Sequence, residues 1–318
     1  MSTAPVLGVV MDDIARIEVA KDSTFAMLLE AQRRGWTLRY MTQGDLSLRD
    51  GRAWGRWRPL RVCDEEAHWF ELGEARESPL EEQRVILLRK DPPFDMDYIY
   101  TTYLLEFAEA AGSLVINRPG SVRDVNEKLY TAWFPQCCVP SLVSSEPAAL
   151  RAFVGEQGEA VVKPLDLMGG QSIFRLSPAD PNLNVILETV THNGRRLVMA
   201  QRFIPEIRAG DKRILLIDGE PVPHALARVP PTGEFRGNLA AGGRGQGVAL
   251  SERDRWICAQ VGPVLRDKGL LFVGLDVIGD YLTEINVTSP TCIRELDRLY
   301  GLNIAGVLFD AIDKRLSP

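Results

Sequence analysis

The chain has 318 residues, 45% hydrophobic and 25% charged, which gives room for two or three packed domains and excludes a disordered or collagen-like chain. Its 37 Lys and Arg against 43 Asp and Glu leave a net charge of −6, so the surface as a whole is not shaped for nucleic acid, and an anionic ligand needs a local cationic pocket. No uncharged apolar run approaches the ~20 residues of a membrane span. Residues 1–10 lack the features of a secretory signal. The five cysteines (Cys63, Cys137, Cys138, Cys258, Cys292) are odd in number and show no Cys-x-x-Cys spacing. Together these features read as a cytoplasmic protein with reduced thiols and neither a membrane nor a nucleic-acid partner.

In chain order, short β-branched runs alternate with amphipathic segments, the pattern of an α/β domain with crossover helices. Residues 6–11 read as the first strand. Asp22 and Ser23 cap a helix with Ala26, Leu28 and Leu29 on its apolar face, Gly35 ends it, and 36–41 is the next strand. Five arginines interleave with Trp54 and Trp57 over 49–61, followed by an acidic run over 64–82. This is either a nucleic-acid patch or a solvent-facing hairpin balanced by its acidic neighbour, which would repel phosphate.

A second unit repeats the logic: strand 85–88, a helix start at Asp95 and Asp97, helical spacing of Ile99, Tyr103, Leu104, Phe107 and Ala108, a stop at Gly112, and strand 114–116. After about residue 118 the texture changes. A helix is predicted over 119–134, then strands over 160–163, 172–176, 197–201, 213–217 and 224–229, with Asn193-Gly194 and Asp218-Gly219 as hairpin turns. Ser251 and Asp254 cap a helix running to Lys268, and two strands and two helices follow.

The familiar nucleotide signatures, a P-loop and a complete Gly-x-Gly-x-x-Gly, are absent. Instead Lys163-Pro164 ends one strand and 166–172 leads into the next. Gly169 and Gly170 there allow backbone N–H groups close to an anion, with Lys163 to neutralise it; a simple two-glycine turn is the alternative. Near the end of the chain, 271–278 and 281–287 read as strands around Gly279-Asp280. Glu284 and Asn286 share one face, and a pairing that sets Asp276 opposite Glu284 would gather two carboxylates and an amide, an oxygen set suited to Mg²⁺. The alternative is an exposed polar edge, at odds with the flanking Phe272, Val273, Leu275, Ile285 and Val287. The segment 233–247 carries Arg236, Asn238 and Arg244 among glycines and alanines, and is either a loop that closes over phosphate or a flexible linker. Arg213 and Arg228 would add cationic lining. His68, His192 and His224 are isolated, which leaves zinc chemistry without support, and Cys292 lacks a His base.

Five stretches carry a family likeness: 21–32 (KDSTFAMLLEAQ), 89–94 (RKDPPF), 126–129 (NEKL), 237–245 (GNLAAGGRG) and 283–291 (TEINVTSPT). On these the sequence resembles the bacterial glutathione synthetases, a branch of the ATP-grasp ligases, over nearly its whole length. The resemblance implies α/β and α+β architecture, an ATP-grasp fold behind an N-terminal α/β (pre-ATP-grasp) domain. Residues 1–122 would be the substrate domain, 123–202 the central nucleotide subdomain, and 203–318 the C-terminal domain with lid loop 233–247 and a metal site.

By that likeness Lys128 and Lys163 would touch the phosphates of ATP, and Gly169 and Gly170 would lie in the small phosphate loop. Gln201, Arg202, Phe203 and Ile204 would line adenine, and Asp211 would meet the ribose. Asp276, Glu284 and Asn286 would hold Mg²⁺, with Mn²⁺ as an alternative. Arg213, Arg228, Arg236 and Asn238 would act on the transferring phosphoryl group, and Ser23, Arg89 and Arg294, with Asn286, are candidates for reading substrate. The implied reaction joins γ-glutamylcysteine to glycine through an acyl phosphate, in a cytoplasmic homotetramer. One departure is Leu167, where relatives show the first glycine of Asp-Gly-Met-Gly-Gly; it implies a stiffer loop. The rival readings are a carboxylate–amine ligase for another substrate and an ATP-binding regulatory protein; the intact Asp276, Glu284 and Asn286 set speaks against the second.

Overall fold

The computed structural model describes residues 4–317 apart from 168, 232, 235, 236 and 238–241. Three sheets organise them. The first is parallel at its centre: Val6–Met11 lies between Thr37–Met41 and Val85–Arg89, and Leu114–Ile116 continues it beside Val85–Arg89. Val85–Arg89 is buried along its whole length, as a parallel strand covered on both faces must be. Both crossover helices start at the predicted caps. Asp22 accepts the Phe25 N–H ahead of Ser23–Arg33, and Asp95 accepts the Tyr98 N–H ahead of Met96–Ala110.

The face of Met96–Ala110 differs from expectation. Tyr98, Thr101, Thr102, Leu105 and Ala108 are buried, while Tyr103 and Phe107 stand 47% and 42% exposed. Burying threonines is inexpensive here because each hydroxyl donates to a carbonyl of its own helix, Thr101 to Asp97 and Thr102 to Ile99. The arginine-rich segment is the balanced hairpin of the two readings. Leu46–Arg49 turns at Asp50-Gly51 into Arg52–Val62, Arg49 pairs with Glu77 and Arg52 with Glu81, and Arg39 stacks 3.9 Å over Trp57.

The second sheet is antiparallel, in the order Phe174–Leu176, Ala160–Pro164, Val198–Arg202, Ser141–Ser144. With the unanticipated helices Pro147–Gln157 and Leu183–Val190 it encloses a separate small core around Leu150, Val154, Val162, Leu187 and Val198. Asn193-Gly194 is no hairpin: both have positive φ (55° and 81°) and end the turn after Leu183–Val190. Nor is 119–134 one helix. Pro119–Asp124 stops because the Asn126 side-chain oxygen takes the N–H groups of Lys128 and Leu129, after which Leu129–Trp133 and Pro135–Cys137 form short 3₁₀ turns.

The third sheet runs Arg244–Ala249, His224–Val229, Asp211–Ile217, Phe272–Ile278, Tyr281–Asn286, antiparallel throughout. Arg244–Ala249 takes up residues 244–247, which the sequence assigned to the loop. The Asp218-Gly219 turn is as expected, with φ of 51° and 81°. Ser251 and Asp254 form the predicted capping box of Glu252–Asp267.

The first and third sheets share their cores: Leu7, Phe25 and Leu87 pack in one cluster with Leu215, Phe272 and Phe309. The Asn117 side chain bridges them, donating to the carbonyls of Phe272 (2.7 Å) and Val287 (2.8 Å) and accepting the Phe272 N–H (2.9 Å). No described helix is long and apolar enough to cross a membrane.

Candidate active site

A cleft lies where the second and third sheets face each other, and it has two compartments that meet at Glu284. The first is a cavity of about 90 Å³ that opens to solvent. Phe203, Ile204, Ile207 and Ile278 give it apolar walls, and Lys163, Gln201 and Asp211 give it polar ends, proportions suited to a flat heterocycle with a charged tail. Here the structure gathers Lys163, Gln201, Arg202, Phe203, Ile204 and Asp211, six of the nine residues that the resemblance assigned to nucleotide. Arg228 pairs with Oδ2 of Asp211, while Oδ1 is buried without a partner among the described residues. Burial pushes this carboxyl above its usual range and Arg228 pulls it back. An unsatisfied buried acceptor beside an apolar slot suits a ligand hydroxyl.

The second compartment, a cavity of about 220 Å³, is lined by Lys128, Gly169, Arg213, Arg228, Glu284 and Asn286 among others. Lys128 and Lys163 come from different elements yet each places its ammonium 3.8 Å from Oε1 of Glu284. Lys128 also donates to the Leu167 carbonyl (2.6 Å), and Lys163 to that of Thr283 (3.1 Å). Burial draws the Lys163 ammonium below its usual value, and the Glu284 carboxylate opposes that. Gly169 and Gly170 have positive φ (64° and 79°), so the loop turns its backbone through a region that other residues enter at a cost.

Asp276 does lie opposite Glu284, and the reason is a bulge. A regular hairpin about Gly279-Asp280 would pair Asp276 with Thr283; the register shifts after Val277 and gives it Glu284 instead, with Asn286 opposite Gly274. The Thr283 hydroxyl closes the irregularity on the Asp276 carbonyl (3.1 Å). Arg213 grips the Asp276 carboxylate through Nε (2.6 Å) and Nη2 (3.1 Å), and Arg228 adds a contact at 2.8 Å. Burial alone would raise this carboxyl, but the two guanidiniums outweigh it and hold the group below the usual carboxylate range. Gly274 makes room, since a Cβ there would sit 2.8 Å from Cδ of Arg213.

The donor chemistry fits a hard dication. Glu284 faces the cleft, and Asn286 turns its amide nitrogen to the Gly274 carbonyl (3.1 Å), which leaves its own oxygen for another partner. Asp276 shares the face, although both of its oxygens also hold arginines.

The remaining candidates divide. Arg236 and Asn238 lie outside the described residues. Arg89 is buried one step behind the cleft wall, donating to Thr24 (3.0 Å) and to the carbonyl of Pro290 (2.8 Å), and Pro290 lines the cleft. Ser23 accepts the Ile293 N–H (3.1 Å), and Arg294 pairs with Asp64 and stacks on Phe25; neither is brought into the cleft. Cys292 lines it, and burial pushes its thiol up, which suits it poorly to nucleophilic work. Glu127 and Thr288 also line the cleft, although the sequence reading gave them no part. Glu127 belongs to the 126–129 motif, so the signal was present but went to Lys128.

Two family models match the chain. Residues 6–123 match the model of the prokaryotic glutathione synthetase N-terminal domain, and residues 127–301 that of the prokaryotic glutathione synthetase ATP-grasp domain. Curated relatives include glutathione synthetases of Pseudomonas putida, 62% identical over 98% of both chains, and of Xanthomonas axonopodis pv. citri, 63% identical over 96% of both. Among solved structures, the D-cycloserine synthetase DcsG superposes with a TM-score of 0.68 at 17% identity, covering 98% of this chain and 100% of its own. The ATP-grasp ligase PsnB, complexed with minimal precursor, Mg and ADP, superposes at 0.61 and 16% identity over 98% of both. At such identities these two speak for the fold.

Proposed function

The chain belongs to the prokaryotic glutathione synthetase family, an ATP-grasp ligase that binds ATP with a divalent metal and forms a peptide bond, and on that premise we propose how its cleft does so. The substrates are γ-glutamylcysteine and glycine, and the metal is Mg²⁺. The observation that carries the reading is the meeting of the two compartments at Glu284, with Lys128 and Lys163 on one side and the Asp276–Arg213–Arg228 cluster on the other.

Adenine lies against Phe203 and Ile204, and the ribose meets Oδ1 of Asp211, which has no partner among the described residues. Lys128, Lys163 and the Gly169-Gly170 backbone hold the phosphates. Asp276, Glu284 and Asn286 hold Mg²⁺, which when bound neutralises phosphate charge. Arg213 and Arg228 point at the same space and stabilise charge on the phosphoryl group as it passes to the cysteine carboxylate of the dipeptide; this is a task of positioning and electrostatics. The acyl phosphate is then attacked by the glycine amine, and phosphate leaves. No protein nucleophile is required. Arg236 and Asn238 lie outside the described residues and keep the role that the resemblance gives them, on the transferring phosphoryl group.

We keep the three-part division at about 122 and 202; the separate core of the second sheet supports the boundary near 202, whereas Val125, Tyr130 and Phe134 pack with the other two sheets. A cytoplasmic setting suits the five free cysteines, and a homotetramer follows the resemblance. The test is phosphate release from ATP and Mg²⁺ with γ-glutamylcysteine, with and without glycine, and the mass of the product. Glycine-dependent release with a mass gain of one glycyl residue is expected; equal use of D-alanine in place of glycine, or no release, sinks the proposal.

A further inference from the structure

Glu127 is held in the cleft wall by an arrangement that the reaction described so far does not use. Its backbone carbonyl accepts the Ile285 N–H (2.8 Å), which ties it to the strand bearing Glu284 and Asn286. Its Oε1 accepts three hydrogen bonds, from the N–H groups of Val287 (2.9 Å) and Thr288 (3.1 Å) and from the Thr288 hydroxyl (2.8 Å). Three donors on one oxygen fix the plane of the carboxylate. Oε2 has no hydrogen bond among the described residues, and the side chain lines the same compartment as Arg213, Arg228 and Glu284. The titratable groups that act on it are Lys128 and Glu284, and the Tyr98 phenol, buried without a partner, feels its charge. Burial raises the carboxyl above its usual value, with the Thr288 bonds opposing.

The cations of this cleft suit phosphate and repel ammonium, yet the second substrate arrives as an ammonium and must lose a proton before its nitrogen can attack. The carboxylates of the cleft are not equivalent in this respect. Asp276 is gripped by two arginines, Glu284 faces two lysines, Asp91 is exposed at the rim, and Asp211, paired with Arg228, lies in the other compartment. In the compartment of the transferring phosphoryl group Glu127 combines a rigid mount with an uncommitted oxygen.

Resting on the proposed function above, we infer that Glu127 is a catalytic residue that receives the glycine ammonium at Oε2 and takes one of its protons. The freed amine nitrogen forms the C–N bond to the acyl carbon, and the bond from that carbon to the phosphate oxygen breaks. The second proton lost by nitrogen leaves with phosphate as hydrogen phosphate, and the first passes from Glu127 to solvent when the products depart.

The test compares Glu127→Gln with the parent protein, both given ATP, Mg²⁺ and γ-glutamylcysteine, with glycine in one arm and hydroxylamine in the other. Hydroxylamine is largely a neutral amine at neutral pH and captures an activated carboxyl without a base. The amide of glutamine can still accept the bonds from Val287 and Thr288. Glycine-dependent turnover is expected to fall by about 10²-fold or more, while hydroxamate formation stays near the parent level. Unchanged glycine turnover, or an equal loss in both arms as a merely structural anchor would give, overturns the assignment. Should Glu127→Gln fail to fold, Thr288→Val, which removes one of the three bonds, is judged the same way: a glycine-selective fall supports the role, and an equal or absent fall overturns it. A parent protein that makes neither product overturns the proposed function itself, so the two failures are distinguishable.

Discussion

Arg213 and Asp276 face each other across adjacent antiparallel strands and share two hydrogen bonds, Nε to Oδ1 at 2.6 Å and Nη2 to Oδ2 at 3.1 Å, both groups buried. The pair separates folding from turnover. Asp276→Asn leaves two buried guanidiniums short of a counter-charge and is expected to cost about 3–5 kcal/mol of stability as well as activity. Glu284→Gln touches a side chain that is one-fifth exposed and only 3.8 Å from its lysines, so stability should change by about 1 kcal/mol or less while ATP-dependent turnover falls by about 10²-fold or more. Urea unfolding beside turnover measurements checks both, and wild-type activity in Glu284→Gln would remove the metal assignment.

Acid should loosen the contact between the helices Ser23–Arg33 and Ile304–Leu316. Glu30 accepts hydrogen bonds from Arg33 and Arg34, and Arg34 continues to Asp310 and Asp313. The Arg33 hydrogen bond leads in holding the Glu30 carboxyl down to about 2, against burial, with Arg34 helping. A depressed carboxyl contributes stability above its unfolded value near 4.5 and loses it as pH falls towards about 2. Allowing for solvent around Arg33, this is about 1–2 kcal/mol. Denaturant midpoints of the parent protein should drop across that window more than those of Glu30→Gln; parallel curves would contradict the assignment.

Asn117→Ala should destabilise the protein by about 2–4 kcal/mol, because the Phe272 N–H and the carbonyls of Phe272 and Val287 lose their partner in a buried interface. Thermal unfolding measures it, and a shift within error would show that water replaces the amide.

The phosphate loop gives a paired prediction. Leu167 keeps a negative φ and offers Lys128 only its backbone carbonyl, so Leu167→Gly should change stability by about 1 kcal/mol or less and leave the ATP KM near the parent value. Gly169 has φ of 64° with open space where a Cβ would sit, so Gly169→Ala meets backbone strain of about 1 kcal/mol without a clash and should raise the ATP KM roughly fivefold. The reverse order of effects would mean that the leucine side chain itself shapes the site.

Much of the molecule was legible in its sequence where local chemistry and tertiary packing agree. Asp22, Asp95 and Ser251 cap helices as predicted because a short side-chain acceptor next to free N–H groups acts locally. The shared face of Glu284 and Asn286 was legible, and Asp276 joined them only on a supposed pairing; the bulge that produces that pairing was not legible, since nothing marks Thr283 as the extra residue. Asn193-Gly194 misled because the same positive-φ pair serves a hairpin or a helix end, and only the neighbouring chain decides. The outward face of Met96–Ala110 was hidden because buried threonines look polar in sequence while being satisfied within their own helix. Side-chain pairings between distant segments, such as Arg213 with Asp276, leave no periodic trace.

The shared core of the first and third sheets also governs the order in which the chain can mature during synthesis. Trp36 stacks edge-on against Phe309 at 5.6 Å, and Leu7, Phe25 and Leu87 share one core cluster with Phe272, Ile293 and Phe309. The early α/β segment therefore emerges from the ribosome with an apolar face that nothing yet made can cover, whereas 141–202 brings both sides of its own core and can settle at once. Chaperone demand should be concentrated in the interval between translation of these two parts, and shortened chains ending before Phe272 should hold a folded middle between unfinished flanks.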